Sequence, residues 1–225
     1  MLSVDQPPPP PARVARAEVI GHTARGRPIR AFERGNPSSS RVVLVVGCIH
    51  GDECQGMKIT RLLAKGKQPR RFDLWIIHTL NPDGLAARTR QNGRGVDLNR
   101  NFPAGWTARG TRWDPEYSGP KPFSEPESRA ARALVRRIHP DVSIWYHQPQ
   151  RVVRAWGRSR LAARRYARLA HASYRSIPWP HGTAPRWQNT FFEKGVSFVV
   201  ELRPGILPAA AARNHAHAVR VLGAG

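Results

Sequence analysis

The sequence predicts an α/β domain, a single mixed and largely parallel sheet flanked by helices. Four apolar runs, "RVVLVVG", "FDLWIIHTL", "DVSIWYH" and "GVSFVVEL", are continuous rather than alternating, as expected of strands covered on both faces. Between them lie stretches with apolar residues at helical spacing, and strands alternating with helices define this class. The chain has 225 residues, 40% of them hydrophobic, which fits one domain with a substantial core.

In chain order, "MLSVDQPPPPPARVAR", residues 1–16, reads as an extended, solvated lead-in because of its proline run. The domain is expected over residues 17–225. "AEVIGHT" and "RPIRAFERG" read as a strand pair with a short turn, and "NPSSS" as a loop. After the strand "RVVLVVG", the stretch "ECQGMKITRLLAKG" predicts a helix from Glu53 that stops at Gly66. "FDLWIIHTL" ends at the turn signal "NPDG". Residues 85–123 are weakly periodic and rich in Gly, Pro and Arg; loops of that length in a compact domain are usually functional. "SEPESRAARALVRRIH" opens with Ser124, Pro126 and acidic residues, good helix-start chemistry, and stops at Pro140. "DVSIWYH" is the third strand, "RSRLAARRYARLAHASY" reads as helix, "GVSFVVEL" as the fourth strand and "LPAAAARNHAHAVRVL" as a closing helix. No internal repeat is visible.

The charge balance is extreme: 37 Lys and Arg against 15 Asp and Glu give +22, with a pI near 11.7. Such a charge favours anionic surroundings. A compositional bias spread over a solvated surface explains it at least as well. No basic run is long and aromatics do not regularly alternate with bases, so no nucleic-acid partner is expected. Arg160, Arg164 and Arg168 stand four apart on one helix face, where like charges repel modestly. An anionic cell-wall polymer would relieve that repulsion, although a solvated face is the commoner explanation. Cys48 and Cys54 show no C-x-x-C spacing or disulfide framework; they could bond only if strand end and helix start bring them close, and they read as small buried packing residues. No apolar run reaches the length of a membrane span. The N-terminus lacks a signal peptide's apolar core, so a cytoplasmic location is expected, or a periplasmic or secreted one if a leader is removed.

Ligands of open α/β sheets collect at the carboxyl ends of strands. Those ends present His50 and Glu53 after "VVLVV", His147 after "DVSIWY" and Glu201 after "VSFVV". Two histidines and a glutamate form a known catalytic zinc set, with one position open for water and the second glutamate available as its base. A lone strand-end histidine is more often structural; four such groups at one sheet edge are harder to dismiss. Between them "TRQNGRGVDLNRNFP" places Arg90, Arg94, Asn99 and Arg100 in a glycine-containing loop. Guanidiniums there suit a carboxylate clamp and an oxyanion partner. Asp97 suits the orientation of a metal-bound imidazole.

The ordered motifs "GHTARGRPI", "VVGCIHGDE", "NPDG", "RGVDLNRNFP", "YSGPKPFSEPES", "HQP" and "VVEL" resemble the zinc carboxypeptidase-type metallopeptidases, most closely their bacterial murein peptide amidase branch. The resemblance covers nearly everything after the lead-in and implies the phosphorylase/hydrolase-like zinc carboxypeptidase fold. It implies His50, Glu53 and His147 as ligands of one zinc ion, Asp97 as support of the first histidine and Glu201 as general base. Arg90 falls at the oxyanion-stabilising position, with Arg88 and Arg94 close by. Asn99 and Arg100 match the pair that holds the substrate's carboxylate.

The same resemblance implies cleavage of the γ-D-glutamyl–meso-diaminopimelate amide of peptidoglycan-derived peptides. "WPHGTAPRWQN" would line one side of the pocket, with His181, Thr183, Gln188, Asn189 and Arg186 facing the distal end of the diaminopimelate. Rival readings are a general metallocarboxypeptidase, a deacylase of small N-acyl amino acids, and a non-catalytic polyanion-binding module.

Overall fold

A computed structural model describes residues 14–225. Among them one eight-stranded sheet carries the fold, formed by β1 (Val14–His22), β2 (Pro28–Gly35), β3 (Val42–Val46), β4 (Asp73–Ile77), β5 (Val142–His147), β6 (Val152–Ala155), β7 (Ser173–Ser176) and β8 (Val196–Glu201). Their order is β1-β2-β4-β3-β5-β8-β6-β7. The central strands β4, β3, β5 and β8 are mutually parallel. These are the four continuous apolar runs, and β4 and β5 are buried at every residue. The β1–β2 pair adds antiparallel at one side, and β6 runs antiparallel to β8 at the other, with β7 parallel to β6.

Six α-helices accompany the sheet among the described residues: α1 (Gly56–Lys65), α2 (Pro82–Ala87), α3 (Pro126–Ile138), α4 (Arg160–Leu169), α5 (Ala184–Phe191) and α6 (Ala209–Ala224). Helix α6 packs on α1 and α4, α3 lies against β1, and α5 against β8. The core centres on Leu44, Ile76, Trp145, Tyr146, Phe198 and Tyr166, all essentially without exposure. No helix among the described residues is long and apolar enough to cross a membrane.

The structure departs from the sequence expectations at identifiable places. Strand β1 starts at Val14, inside the stretch read as lead-in; residues 1–13 lie outside the described residues. Helix α1 starts at Gly56, three residues after Glu53, because the chain first folds back so that Glu53 N–H donates to His50 O at 3.1 Å. That fold-back also brings Cys48 and Cys54 together as a disulfide, with Cα atoms 4.8 Å apart, meeting the condition for bonding that the sequence left open in place of separate packing residues. "NPDG" opens α2 rather than a simple turn: Asn81 Oδ1 accepts Gly84 N–H at 2.8 Å, and Pro82 takes the first helical position.

Helix α4 ends at Leu169, and the tail of the expected helix, Ser173 and Tyr174, belongs to β7 (Ser173–Ser176). Strands β6 and β7 have four residues each and β7 is largely exposed, so neither leaves a hydrophobic pattern to read; β6 forms by pairing to β8, and β7 by pairing to β6. Helix α5 is likewise missing from the sequence expectation.

Candidate active site

Three parallel strands deliver the candidate residues to one edge. His147 and Glu201 end β5 and β8 and sit opposite each other in register. His50 arrives from β3 through a turn in which Gly51 lies hard against the backbone of Gly84 in α2, where a Cβ would collide. Within that turn Glu53 Oε2 stands 3.1 Å from Nδ1 of His50 and 3.1 Å from Nδ1 of His147. The Gln148 N–H also donates to Glu53 Oε2 at 3.2 Å.

Asp97 and Arg90 brace this group. His50 Nε2 lies 2.8 Å from Asp97 Oδ1, and Asp97 Oδ2 takes Arg90 through Nη2 at 2.9 Å and Nε at 3.1 Å. Arg90 Nη1 donates to Glu53 Oε1 at 2.7 Å. Burial by itself would push both carboxylates up. The hydrogen bonds from His147 and His50 hold Glu53 well below the usual carboxylate range, and the His50 charge and Arg90 do the same for Asp97. Burial opposes charging His50, yet Asp97 and Glu53 outweigh it and raise its pKa. Arg90, also opposed by burial, is held charged by Asp97 and Glu53.

These residues fit a divalent metal. An ionised carboxylate only accepts, so Asp97 keeps a proton on His50 Nε2, and Nδ1 is the nitrogen that would give up its proton and offer a lone pair when a metal binds. That nitrogen is buried and faces Glu53 Oε2 at 3.1 Å. One ligand atom from each of His50, Glu53 and His147 falls within 4.8 Å of the others. Two imidazoles and an ionised carboxylate form the donor set of an open catalytic zinc site.

The same residues line a cleft of about 210 Å³ together with Arg90, Asn99, Arg100, Glu201 and Arg154. Glu201 Oε2 is buried and unpartnered there. Asn99 Oδ1 accepts Ala184 N–H at 3.0 Å, while its Nδ2 lies 3.3 Å from His147 Nε2. Arg100 Nη2 donates to Glu116 Oε1 at 2.6 Å, a carboxylate that Arg109 shares and that sequence reasoning missed. The Arg100 hydrogen bond holds Glu116 below the usual carboxylate range. Of the three clustered arginines only Arg90 reaches the cleft: Arg88 closes α2 in a left-handed conformation, and Arg94 is half-exposed beside Glu125.

The stretch expected to meet the substrate's distal end is placed differently. Trp179, Pro180 and Thr183 line the cleft, but His181 is exposed and bonds Gly105 O. Gln188 bonds Trp145, Ser143 and Ser197, and Asn189 bonds Pro185 and Ser197. Arg186 packs beneath Gly105 and reaches Trp179 O. These polar groups sit on α5 or before it, an element the sequence expectation lacked, and their partners lie outside the cleft, with Gln188 turned into the core. The cleft instead receives Arg154 from β6, whose signal in the sequence was the basic run "RVVRAWGR".

The fold and this edge are those of the zinc carboxypeptidase family: its profile matches residues 11–190, and the chain belongs to it. Glu201 lies beyond the matched residues, so its place at the cleft rests on the sheet register. Among named proteins, the chain is 33% identical over 144 residues to murein peptide amidase A of Escherichia coli K12, and 30% identical over 140 residues to that of Vibrio campbellii. The first match covers 59% of this chain and 59% of the relative, so the chain spans about three fifths of that relative's length in the match. Among solved structures, the murein-tripeptide amidase MpaA from Escherichia coli O157 superimposes with a TM-score of 0.76 at 27% identity, covering 100% of this chain and 98% of that one. Carboxypeptidase A from Helicoverpa armigera shares the fold, with a TM-score of 0.79 at 17% identity over 94% of this chain and 68% of that one.

Proposed function

We propose that the chain hydrolyses a peptide amide next to a carboxylate, with one zinc ion held by His50, Glu53 and His147. Its preferred bond would be the γ-D-glutamyl–meso-diaminopimelate amide of murein peptides. The observation that carries the chemistry is the placement of an unpartnered Glu201 carboxylate opposite His147 at the edge where the three metal-ligating groups converge. The likeness to two murein peptide amidases supports the substrate.

When bound, zinc supplies Lewis acidity, polarising the scissile carbonyl and lowering the pKa of the attacking water toward ~7. Glu201 accepts the water's proton and returns it to the leaving amine. Arg90 offsets the charge of Glu53 and Asp97 and adds positive potential where the carbonyl oxygen gains negative charge. Arg100, with Asn99, holds a substrate carboxylate so that the correct amide faces the base. Glu116, with its side chain 49% exposed, yields its place on Arg100 to that carboxylate.

The test is incubation of the zinc-loaded protein with L-Ala-γ-D-Glu-meso-diaminopimelate and with a peptide ending in phenylalanine or leucine, followed by mass analysis. Release of free diaminopimelate, with slower turnover of the ordinary peptide, is expected. Faster turnover of the ordinary peptide assigns a general metallocarboxypeptidase. Hydrolysis of neither removes the proposal.

A further inference from the structure

Arg154 is a cation of the cleft that none of these roles uses. Strand β6 pairs with β8 so that Val152 stands opposite Glu201 and Arg154 opposite Val199. Alternate strand residues share a face, and Arg154, Val199 and Glu201 all line the cleft. The Arg154 Nε is buried without a hydrogen-bond partner, and among the described residues Arg154 makes no ion pair. The other two cleft arginines are engaged, Arg90 by Glu53 and Asp97, and Arg100 by Glu116. A guanidinium does not lose its charge in a protein. Partly desolvated and unpaired, it is costly until an anion meets it.

We infer that Arg154 sets specificity for the residue released on the amine side, by binding a second carboxylate at the far end of that residue's side chain. This rests on the reading of the cleft as an amide-hydrolysing site in which Arg100 holds the first carboxylate. The lengths agree. Val199, opposite Arg154, is two residues from Glu201, about 7 Å along the strand. The distal carboxylate carbon of diaminopimelate lies five carbon–carbon bonds from its α-carbon, about 6 Å when extended. An aspartate side-chain carboxylate, two bonds out, reaches only about 2.5 Å. Planar two-point geometry favours arginine over lysine for such a carboxylate. Arg154 thus takes the role that sequence reasoning gave to Arg186.

The experiment compares L-Ala-γ-D-Glu-meso-diaminopimelate with L-Ala-γ-D-Glu-L-lysine. Lysine has the same carbon chain and terminal amine and lacks only the distal carboxylate. Wild type is expected to favour the first by ~10- to 100-fold in kcat/KM, the range of a charged hydrogen-bonded pair. Arg154→Gln should reduce that ratio to about one, mostly through KM, and Arg154→Lys should restore part of it. Binding of free meso-diaminopimelate and of lysine to the zinc-loaded protein, by calorimetry, is a readout independent of turnover, and the same preference and the same loss are expected there. Where Arg154→Gln does not fold, Arg154→Lys alone decides, by keeping or losing the ratio. A ratio unchanged in the variants, or a wild type that treats the two ligands alike, overturns the role of Arg154 while leaving amide hydrolysis in place. If wild type cuts neither tripeptide, the hydrolytic reading fails, and calorimetry alone decides whether Arg154 binds the second carboxylate.

Discussion

Asp97 holds His50 from behind: its Oδ1 takes the Nε2 proton at 2.8 Å, and its Oδ2 is occupied by Arg90. The histidine that opens the site therefore cannot turn, and its other nitrogen faces Glu53. Removing the Asp97 charge is expected to weaken metal binding while leaving the three ligands present. Partners of this kind typically contribute 10- to 100-fold in metal affinity. Asp97→Asn should show a zinc affinity lower by ~10- to 100-fold in competition with a chromophoric chelator. Unchanged affinity would reduce Asp97 to a structural cap of the turn at Leu98–Arg100.

His147 provides the direct test of the metal centre. Wild type is expected to retain about one zinc per chain, as the three-ligand pattern implies, and His147→Ala to lose it on dialysis. Elemental analysis checks both. Equal zinc in the two proteins would take His147 out of the site.

Glu201→Gln preserves shape and removes the proton acceptor. Activity on the diaminopimelate tripeptide is expected to fall by ~10²- to 10⁴-fold, with zinc content and unfolding temperature close to wild type. A variant that stays active with normal zinc would place the base elsewhere, and one that loses stability would make Glu201 a structural strand end.

Arg100→Lys keeps a positive charge and discards the planar fork. KM should rise by about tenfold or more and kcat fall with it, since a misplaced carboxylate sets the amide badly over the base. Steady-state kinetics on the tripeptide read both numbers. An unchanged KM would leave Arg100 as the partner of Glu116 alone.

Away from the site, Asp73 offers a pH test. Burial, with Glu33 close by, pushes its carboxyl up to about 6, against the stabilising Trp75 Nε1–H it accepts at 2.7 Å. The native state therefore holds this proton more tightly than the unfolded chain. Its contribution is complete below about pH 4 and is lost as pH rises through about 6. Asp73→Asn should gain on wild type over that interval in thermal unfolding, by on the order of 2–4 °C per kcal/mol for a chain of this size. Parallel melting curves across pH 4–7 would assign the slope to other groups.

The sequence by itself determined the four central strands, because strands buried on both faces must be apolar throughout, and that leaves a continuous signal in "VVLVV", "DLWII", "VSIWYH" and "VSFVVE". It also determined which groups stand at their carboxyl ends, since chemistry there needs particular side chains at the residues where the apolar runs stop. What it could not carry was whatever depends on a partner distant in the chain. Strand β6 exists through pairing to β8 and β7 through pairing to β6, α5 turns Gln188 into the core, and the fold-back at Glu53 brings Cys48 to Cys54. Only the tertiary structure decided that Arg154, and not Arg186, faces the cleft: a strand's side is fixed by its register with a neighbour, and four residues of "VVRA" carry no periodicity from which that register can be read.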